Sequence, residues 1–333
     1  KKQIKRLKTL GFQANIASEL EFYLFKDSYD EIYRKEFNKL ETSSHYMDDY
    51  NILQGTKEED VIGAIRRHVK RSGIPVEFSK GETGHGQQEI NLRYSNPLEM
   101  ADRHVIYKQA VKEIAWQKGK SVTFMSKWNH NEAGSSMHIH LSLLDEKTLK
   151  PIFPGFEKIS GHETSSIFRW FLGGWMRHVA EIFPFYAPYP TSYKRYVKGT
   201  FAPTKIAWGY ENRTAGFRIV GEGDSLRIEC RFPGSDANPY LAFAASLAAG
   251  IDGIENQIEP GDPISGNAYN LENIQSVSKN LVEATESLRD SKWARSAFTS
   301  NVVDHYSHFF LNEQLNFDSA VTDWERARYF ERA

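Results

Sequence analysis

The chain has 333 residues, 40% hydrophobic and 26% charged, an ordinary globular composition with enough apolar residues for a large core in one domain or two. A formal net charge of −1 leaves no global field for nucleic acid or an anionic membrane. The single cysteine, Cys230, excludes an intramolecular disulfide and fits a reducing cytoplasm.

In chain order, Lys1 to Leu10 predicts a helix with a solvated basic face, and Gly11 leads from it into a first strand that includes Ser18 to Phe25. Thr56-Lys57-Glu58-Glu59 reads as a capping box opening a helix with Val61, Ile62, Ile65 and Val69 on one face, stopped at Gly73 and Pro75. A strand follows at Gln88 to Tyr94, then a helix capped by Asn96-Pro97-Leu98-Glu99 that runs to about Lys118. Ser136 to Leu143 is the next strand, and Thr164 to Ile182 a helix ended by Pro184. Tyr186 to Gly223, rich in Pro, Gly, Tyr and Arg, reads as functional loops and short strands. Leu226 to Phe232 is a strand, with Cys230 on its apolar face as core packing. Asn238-Pro239 caps a helix to about Gln257, Glu259 to Pro263 is a break, and the chain is mostly helical from about Leu271. The longest apolar run, Tyr240 to Ile251, is too short to span a bilayer, and no secretory signal pattern opens the chain. The expected architecture is α+β, an antiparallel sheet with helices on one side.

Each of the four strand stretches alternates apolar residues with charged or polar ones, so each has one greasy face and one chemical face. The chemical faces carry Glu19, Glu21, Glu89, Asn91, Arg93, His138, His140, Ser142, Arg227, Glu229 and Arg231. If the strands share one sheet, these groups converge on a surface that needs metal ions and an anionic ligand to neutralise it. Glu82 joins them from the glycine-rich Gly81 to Gly86 loop. A single such glutamate is usually only a solvated charge, but five with a histidine, each strand apolar on its other face, form a candidate site. Mostly oxygen donors with one nitrogen suit Mg²⁺ or Mn²⁺ better than zinc. Arg195, Arg213, Arg218, Arg227 and Arg231 lie within about forty residues of one another, and their forks suit carboxylate and phosphate oxygens. Any one of them could instead serve a surface ion pair. Together with two metals, the arginines suit phosphoryl transfer from a nucleotide. There is no Walker A loop and no Gly-x-Gly-x-x-Gly after a strand.

Five motifs in order resemble the catalytic domain of glutamine synthetase: Glu19-Leu20-Glu21, Gly86-Gln87-Gln88-Glu89, Gly134 to His140 (Gly-Ser-x-Met-His-x-His), Asn212-Arg213 to Arg218, and Arg227-Ile228-Glu229-Cys230-Arg231-Phe232-Pro233 to Asn238-Pro239-Tyr240. The resemblance implies a curved antiparallel half-barrel sheet backed by helices and an ATP-dependent ligase. L-glutamate is phosphorylated by ATP to γ-glutamyl phosphate, and ammonia then displaces phosphate to give glutamine. The alternative acceptor is a larger primary amine such as a polyamine or ethanolamine. By motif position, Glu21, Glu82 and Glu89 resemble the ligands of the Mg²⁺ or Mn²⁺ nearer glutamate, and Glu19, His138 and Glu229 those of the ion bridging the ATP phosphates. Arg195, with Arg231 close by, resembles the arginine that holds the glutamate α-carboxylate, and Gly134 lies in the glutamate pocket. Arg213, Arg218, Arg227 and Arg231 resemble the catalytic arginines. His140 and Ser142, with Arg218 and Arg227, fall on the nucleotide side.

Three departures from the family pattern stand out. Phe201, in Gly199-Thr200-Phe201-Ala202-Pro203, replaces a flap glutamate that helps hold and deprotonate ammonium. A phenyl ring can exclude water but takes no proton, and this moves the expectation toward a larger amine. Ala133 stands where the family often has Asn. The expected organisation is one catalytic domain over residues 1–333, with about 261–333 a mostly helical C-terminal part and no counterpart of the family's N-terminal β-grasp domain. The resemblance further implies a homo-oligomer of stacked rings with sites at subunit junctions. Tyr269 lies near the position of a regulatory tyrosine in some bacterial members and reads better as a packed loop residue. A non-catalytic homologue on the same scaffold and a guanidino-kinase-like phosphotransferase are the competing readings. The intact Glu, His and Arg set argues against the first, and the Met137-His138-Ile139-His140 motif against the second.

Overall fold

In a computed structural model, residues 1–159 and 161–333 are described. The strands are β1 (Phe12–Phe25), β2 (Val76–Gly81), β3 (Gln87–Leu92), β4 (Ser121–Thr123), β5 (Met137–Asp145), β6 (Glu157–Ile159), β7 (His162–Thr164), β8 (Trp208–Tyr210), β9 (Phe217–Val220) and β10 (Arg227–Cys230). The helices are α1 (Lys2–Thr9), α2 (Tyr29–Arg34), α3 (Ile52–Arg71), α4 (Pro97–Gln117), α5 (Ser166–His178), α6 (Pro239–Asn256), α7 (Leu281–Asp290), α8 (Lys292–Phe298), α9 (Ser300–Asp318) and α10 (Asp323–Tyr329). The main sheet runs β2-β3-β1-β5-β10-β9-β8, with β4 on the far end of β1. The four alternating stretches therefore lie in four adjacent strands, β3-β1-β5-β10. Antiparallel registers set Glu21 opposite Glu89, Glu19 opposite His138, and Glu229 opposite His140.

The greasy faces do what the alternation requires. Leu20, Phe22 and Leu24 of β1, Met137, Ile139, Leu141 and Leu143 of β5, and Ile228 and Cys230 of β10 are all buried in one core. Each large apolar side chain so buried stabilises the fold by about 1.5–3 kcal/mol. That burial locks the register, because a one-residue slip would send the carboxylates into the core. Behind the sheet, α5 and α6 cross closely at two glycines: a Cβ on Gly174 would lie 2.4 Å from the Gly253 Cα. Burial also pushes up the pKa of the Cys230 thiol, as core packing predicts. Lys2, Lys5 and Lys8 of α1 stay exposed and Arg6 is half-buried, while Gln3 and Leu7 face inward.

Three expectations are corrected. The sheet is mixed, because β8 pairs with β9 in parallel. The chain passes through Glu211 at φ 48° and a turn in which the Asn212 side chain accepts from Thr214, and it re-enters in the same direction. The helix expected from Thr56 starts at Ile52, since Asn51 already caps the amides of Leu53 and Gln54; Thr56 sits inside and bonds back to the Ile52 carbonyl. The helix expected over 164–182 is shorter, because Thr164 belongs to β7 and Ser165 caps Phe168. No helix among the described residues is long and apolar enough to cross a membrane.

Candidate active site

Glu21, Glu82 and Glu89 bring ligand oxygens within 4.8 Å of one another. Two come from the paired centres of β1 and β3, and Glu82 from the connection between β2 and β3. Glu21 is fixed before any ligand arrives. The Ser136 amide and hydroxyl each donate to it at 2.7 Å, and Gln87 Nε2 donates at 3.2 Å. Burial, and then the charge of Glu89, push the Glu21 pKa up to about 7. Burial and the Glu19 charge raise that of Glu89 as well. Converging carboxylates that resist ionisation suit a divalent cation, which removes both penalties.

A second group, Glu19, His140 and Glu229, meets the same 4.8 Å condition. His138 faces the same carboxylates, its Nδ1 lying 3.1 Å from Glu19 and 3.4 Å from Glu229, so either imidazole is within reach of an ion held there. Their surroundings differ. Burial and then Arg231 lower the His138 pKa to about 4, which keeps the neutral form that can ligate a metal. His140 Nδ1 accepts from Arg227 Nε at 3.2 Å, and its Nε2 faces Glu19 at 2.9 Å. The neutral form therefore carries its proton on Nε2. Burial opposes protonation of His140, but the charge and hydrogen bond of Glu19, joined by the charge of Glu229, together raise the pKa. Burial likewise opposes ionisation of Glu229, yet Arg231 and the two histidines bring its pKa down to about 2.

The arginines surround these groups unevenly. Arg195 is buried and donates to the carbonyls of Phe232 and Arg231 at 2.8 and 3.1 Å. Arg231 bonds Glu229, and Arg218 donates to Glu229 at 2.8 Å. The Nε atoms of Arg218 and Arg231 are buried without a partner, which leaves donors for an anionic ligand. One cavity of about 400 Å³ is lined by both sets of glutamates, His138, Gly134, Arg195, Arg213, Arg218 and Arg231. A second, of about 810 Å³, is lined by Asn91, His140, Ser142 and Arg227. Glu19 and Phe78 line both, so the two cavities adjoin at the sheet. Of the residues expected on the nucleotide side, His140, Ser142 and Arg227 line the second cavity, whereas Arg218 lines the first. Gly134 lies in a cradle: a Cβ there would meet Arg195 Cγ at 2.6 Å and the Ser126 carbonyl oxygen at 2.9 Å. Arg93 alone of the predicted face lies beyond the end of β3, exposed and set against the Tyr94 ring.

Several residues of the site escaped sequence reasoning. Ser136 and Gln87 hold Glu21, and both stand inside motifs whose neighbours drew the attention. Asp49, Tyr50, Phe78 and Lys80 line the first cavity; nothing in their local pattern signals it. Tyr269 packs as expected, and its hydroxyl donates to the Ala202 carbonyl at 3.0 Å, tying down the flap next to Phe201.

Residues 1–329 match the family description "Glutamine synthetase, catalytic domain". The chain is 42% identical over 332 residues to the gamma-glutamylethanolamide synthetase GlnA4 of Streptomyces coelicolor, which covers all of this chain and 70% of the relative. It is 37% identical to the glutamate–isopropylamine ligase of a Pseudomonas species, covering 99% of this chain and 72% of the relative. The solved structure of a GmaS/ADP complex superposes with a TM-score of 0.88 at 28% identity, covering 99% of this chain and 75% of that one. The carboxylate-lined sheet face and these matches over the whole chain agree: this chain belongs to the glutamine synthetase family and is an ATP-dependent ligase that forms C–N bonds.

Proposed function

We propose that this ligase phosphorylates the γ-carboxylate of L-glutamate with ATP and joins the γ-glutamyl group to an organic primary amine. One observation carries the choice of acceptor. The cavity holding Glu21, Glu82 and Glu89 is also walled by Tyr50, Phe78 and Phe201. Aromatic faces cover the alkyl carbons of an organic amine, a contact that ammonia, having no carbon, cannot make. The names of the ethanolamide and isopropylamine relatives support the same class.

In this reading Glu21, Glu82 and Glu89 hold one Mg²⁺ or Mn²⁺, and Glu19 and Glu229 with His138 hold another. The ions supply charge neutralisation of the transferring phosphates. Arg195 takes the glutamate α-carboxylate beside Gly134. Arg213, Arg218, Arg227 and Arg231 offer donors where negative charge develops on the phosphoryl group. His140 and Ser142 line the nucleotide side. Phe201 excludes water from the acyl phosphate, and Asp49, which lines the same cavity, offers a carboxylate to take the amine proton. A catalytic domain over residues 1–333, working within a cytoplasmic homo-oligomeric ring, belongs to the same proposal. Ammonia is the second reading, favoured by the carboxylates Asp49 and Glu82 on that wall. Phosphate release from ATP with glutamate, Mg²⁺ or Mn²⁺, and a panel of amines tests both. The expected result is a kcat/KM for ethanolamine or an alkylamine above that for ammonia. A preference for ammonia would overturn the acceptor assignment, and no amine-dependent release at all would overturn the whole reading.

A further inference from the structure

Lys80 lies on β2 directly opposite Glu89 on β3, so the ladder itself puts the two side chains on one face. Its ammonium bonds Glu82 and lies 3.6 Å from Glu89 Oε2. These are two of the three carboxylates whose oxygens converge within 4.8 Å. The side chains of Lys80, Glu82 and Glu89 are 22%, 15% and 4% exposed, so water screens the contact poorly. The same ammonium stands 5.4 Å from the centre of the Tyr50 ring. Gly81 fixes this end of β2 against the segment leading to Tyr50, since a Cβ there would lie 2.6 Å from the Asp48 Cβ.

We propose that Lys80 is a built-in competitor for the Glu21–Glu82–Glu89 cluster: a divalent ion binding there displaces its ammonium toward the Tyr50 ring. The inference rests on the reading that these carboxylates hold such an ion. The ion needs the oxygen lone pairs that Lys80 engages, and two cations a few ångströms apart in a poorly screened site repel. The Tyr50 face gives the displaced ammonium somewhere favourable to go. Ion occupancy then sets which charge stands on the wall that Tyr50, Phe78 and Phe201 share, and Lys80 sets the ion concentration at which this happens. A lysine that merely staples two carboxylates makes the opposite prediction, since its removal would loosen the cluster and weaken ion binding.

The test is Mn²⁺ binding to the EDTA-stripped full chain, read as free Mn²⁺ by electron paramagnetic resonance, with far-UV circular dichroism to confirm folding. Lys80→Met should bind one Mn²⁺ on the order of tenfold more tightly than the wild type, while a second Mn²⁺ changes little. Lys80→Arg keeps the charge and should stay near the wild type. Lys80→Gln provides a second neutral variant should Lys80→Met fail to fold. Unchanged or weaker Mn²⁺ binding in a folded neutral variant overturns the proposal. Glu82→Gln separates it from the reading beneath. If Glu82→Gln weakens one Mn²⁺ yet neutralising Lys80 tightens none, only the Lys80 inference falls. If Glu82→Gln binds Mn²⁺ as the wild type does, both fall.

Discussion

Phe201 offers the sharpest test of acceptor choice. The residue is 64% exposed and its backbone sits at φ 63°. Little of the ring is covered by the rest of the chain, so Phe201→Ala should change folding stability by less than about 1 kcal/mol. The effect belongs to the bound acceptor. A ring that covers two methylenes of an ethanolamine-sized amine contributes about 0.8 kcal/mol for each, about 1.6 kcal/mol in all, or roughly 15-fold in kcat/KM. Phe201→Ala should therefore lower kcat/KM for ethanolamine about 15-fold and that for ammonia less than about threefold. Phe201→Glu should go further and raise ammonia use, because a carboxylate there holds ammonium and can take its proton. Amine-dependent phosphate release under saturating ATP and glutamate gives both ratios in one assay. If both variants are folded and the ethanolamine-to-ammonia ratio stays within about twofold of the wild type, Phe201 does not touch the acceptor and the reasoning from the cavity wall is wrong.

Four more outcomes follow from the same geometry. Gly134→Ala must move either Arg195 or the Ser126 carbonyl, so the KM for glutamate should rise about tenfold or more, with about 1–3 kcal/mol of stability lost; initial rates and urea melts measure the two. Glu229→Gln removes the negative charge that Arg218, Arg231 and His138 share, so stability without metal should fall by on the order of 3 kcal/mol in denaturant titration. Glu21 binds its proton more tightly folded than unfolded, with its pKa raised from 4.5 to about 7. Stability in EDTA should accordingly fall as pH rises from about 4.5 to about 7, by up to about 3 kcal/mol, and melts of Glu21→Gln should lose that slope. Tyr269→Phe removes the hydroxyl bonded to Ala202, so it should cost about 1 kcal/mol and increase amine-independent phosphate release as the flap loosens.

Much of the site was legible because strand alternation is a rule of backbone geometry. With Leu20, Met137, Ile139 and Ile228 committed to the core, Glu19, Glu21, His138, His140 and Glu229 had to share the other face. The helix caps at Asn96 and Asn238 were equally readable, since each rests on a local hydrogen bond. Local signals also misled. Thr56 carries a good capping pattern, but Asn51 stood earlier and took the amides first. The parallel pairing of β8 with β9 depends on one loop that no periodicity announces.

By itself, then, the sequence determined which residues could carry chemistry and that those within one strand would share a face, because period-two alternation and burial leave no other arrangement. Tertiary structure alone decided what meets them there. Lys80 reaches Glu89 only because β2 pairs with β3 in one register. Tyr50, Phe78 and Phe201, from three separate segments, become one wall only when the chain closes around the cavity. Contacts between residues far apart in the chain follow from packing of the whole domain, and no local pattern encodes them.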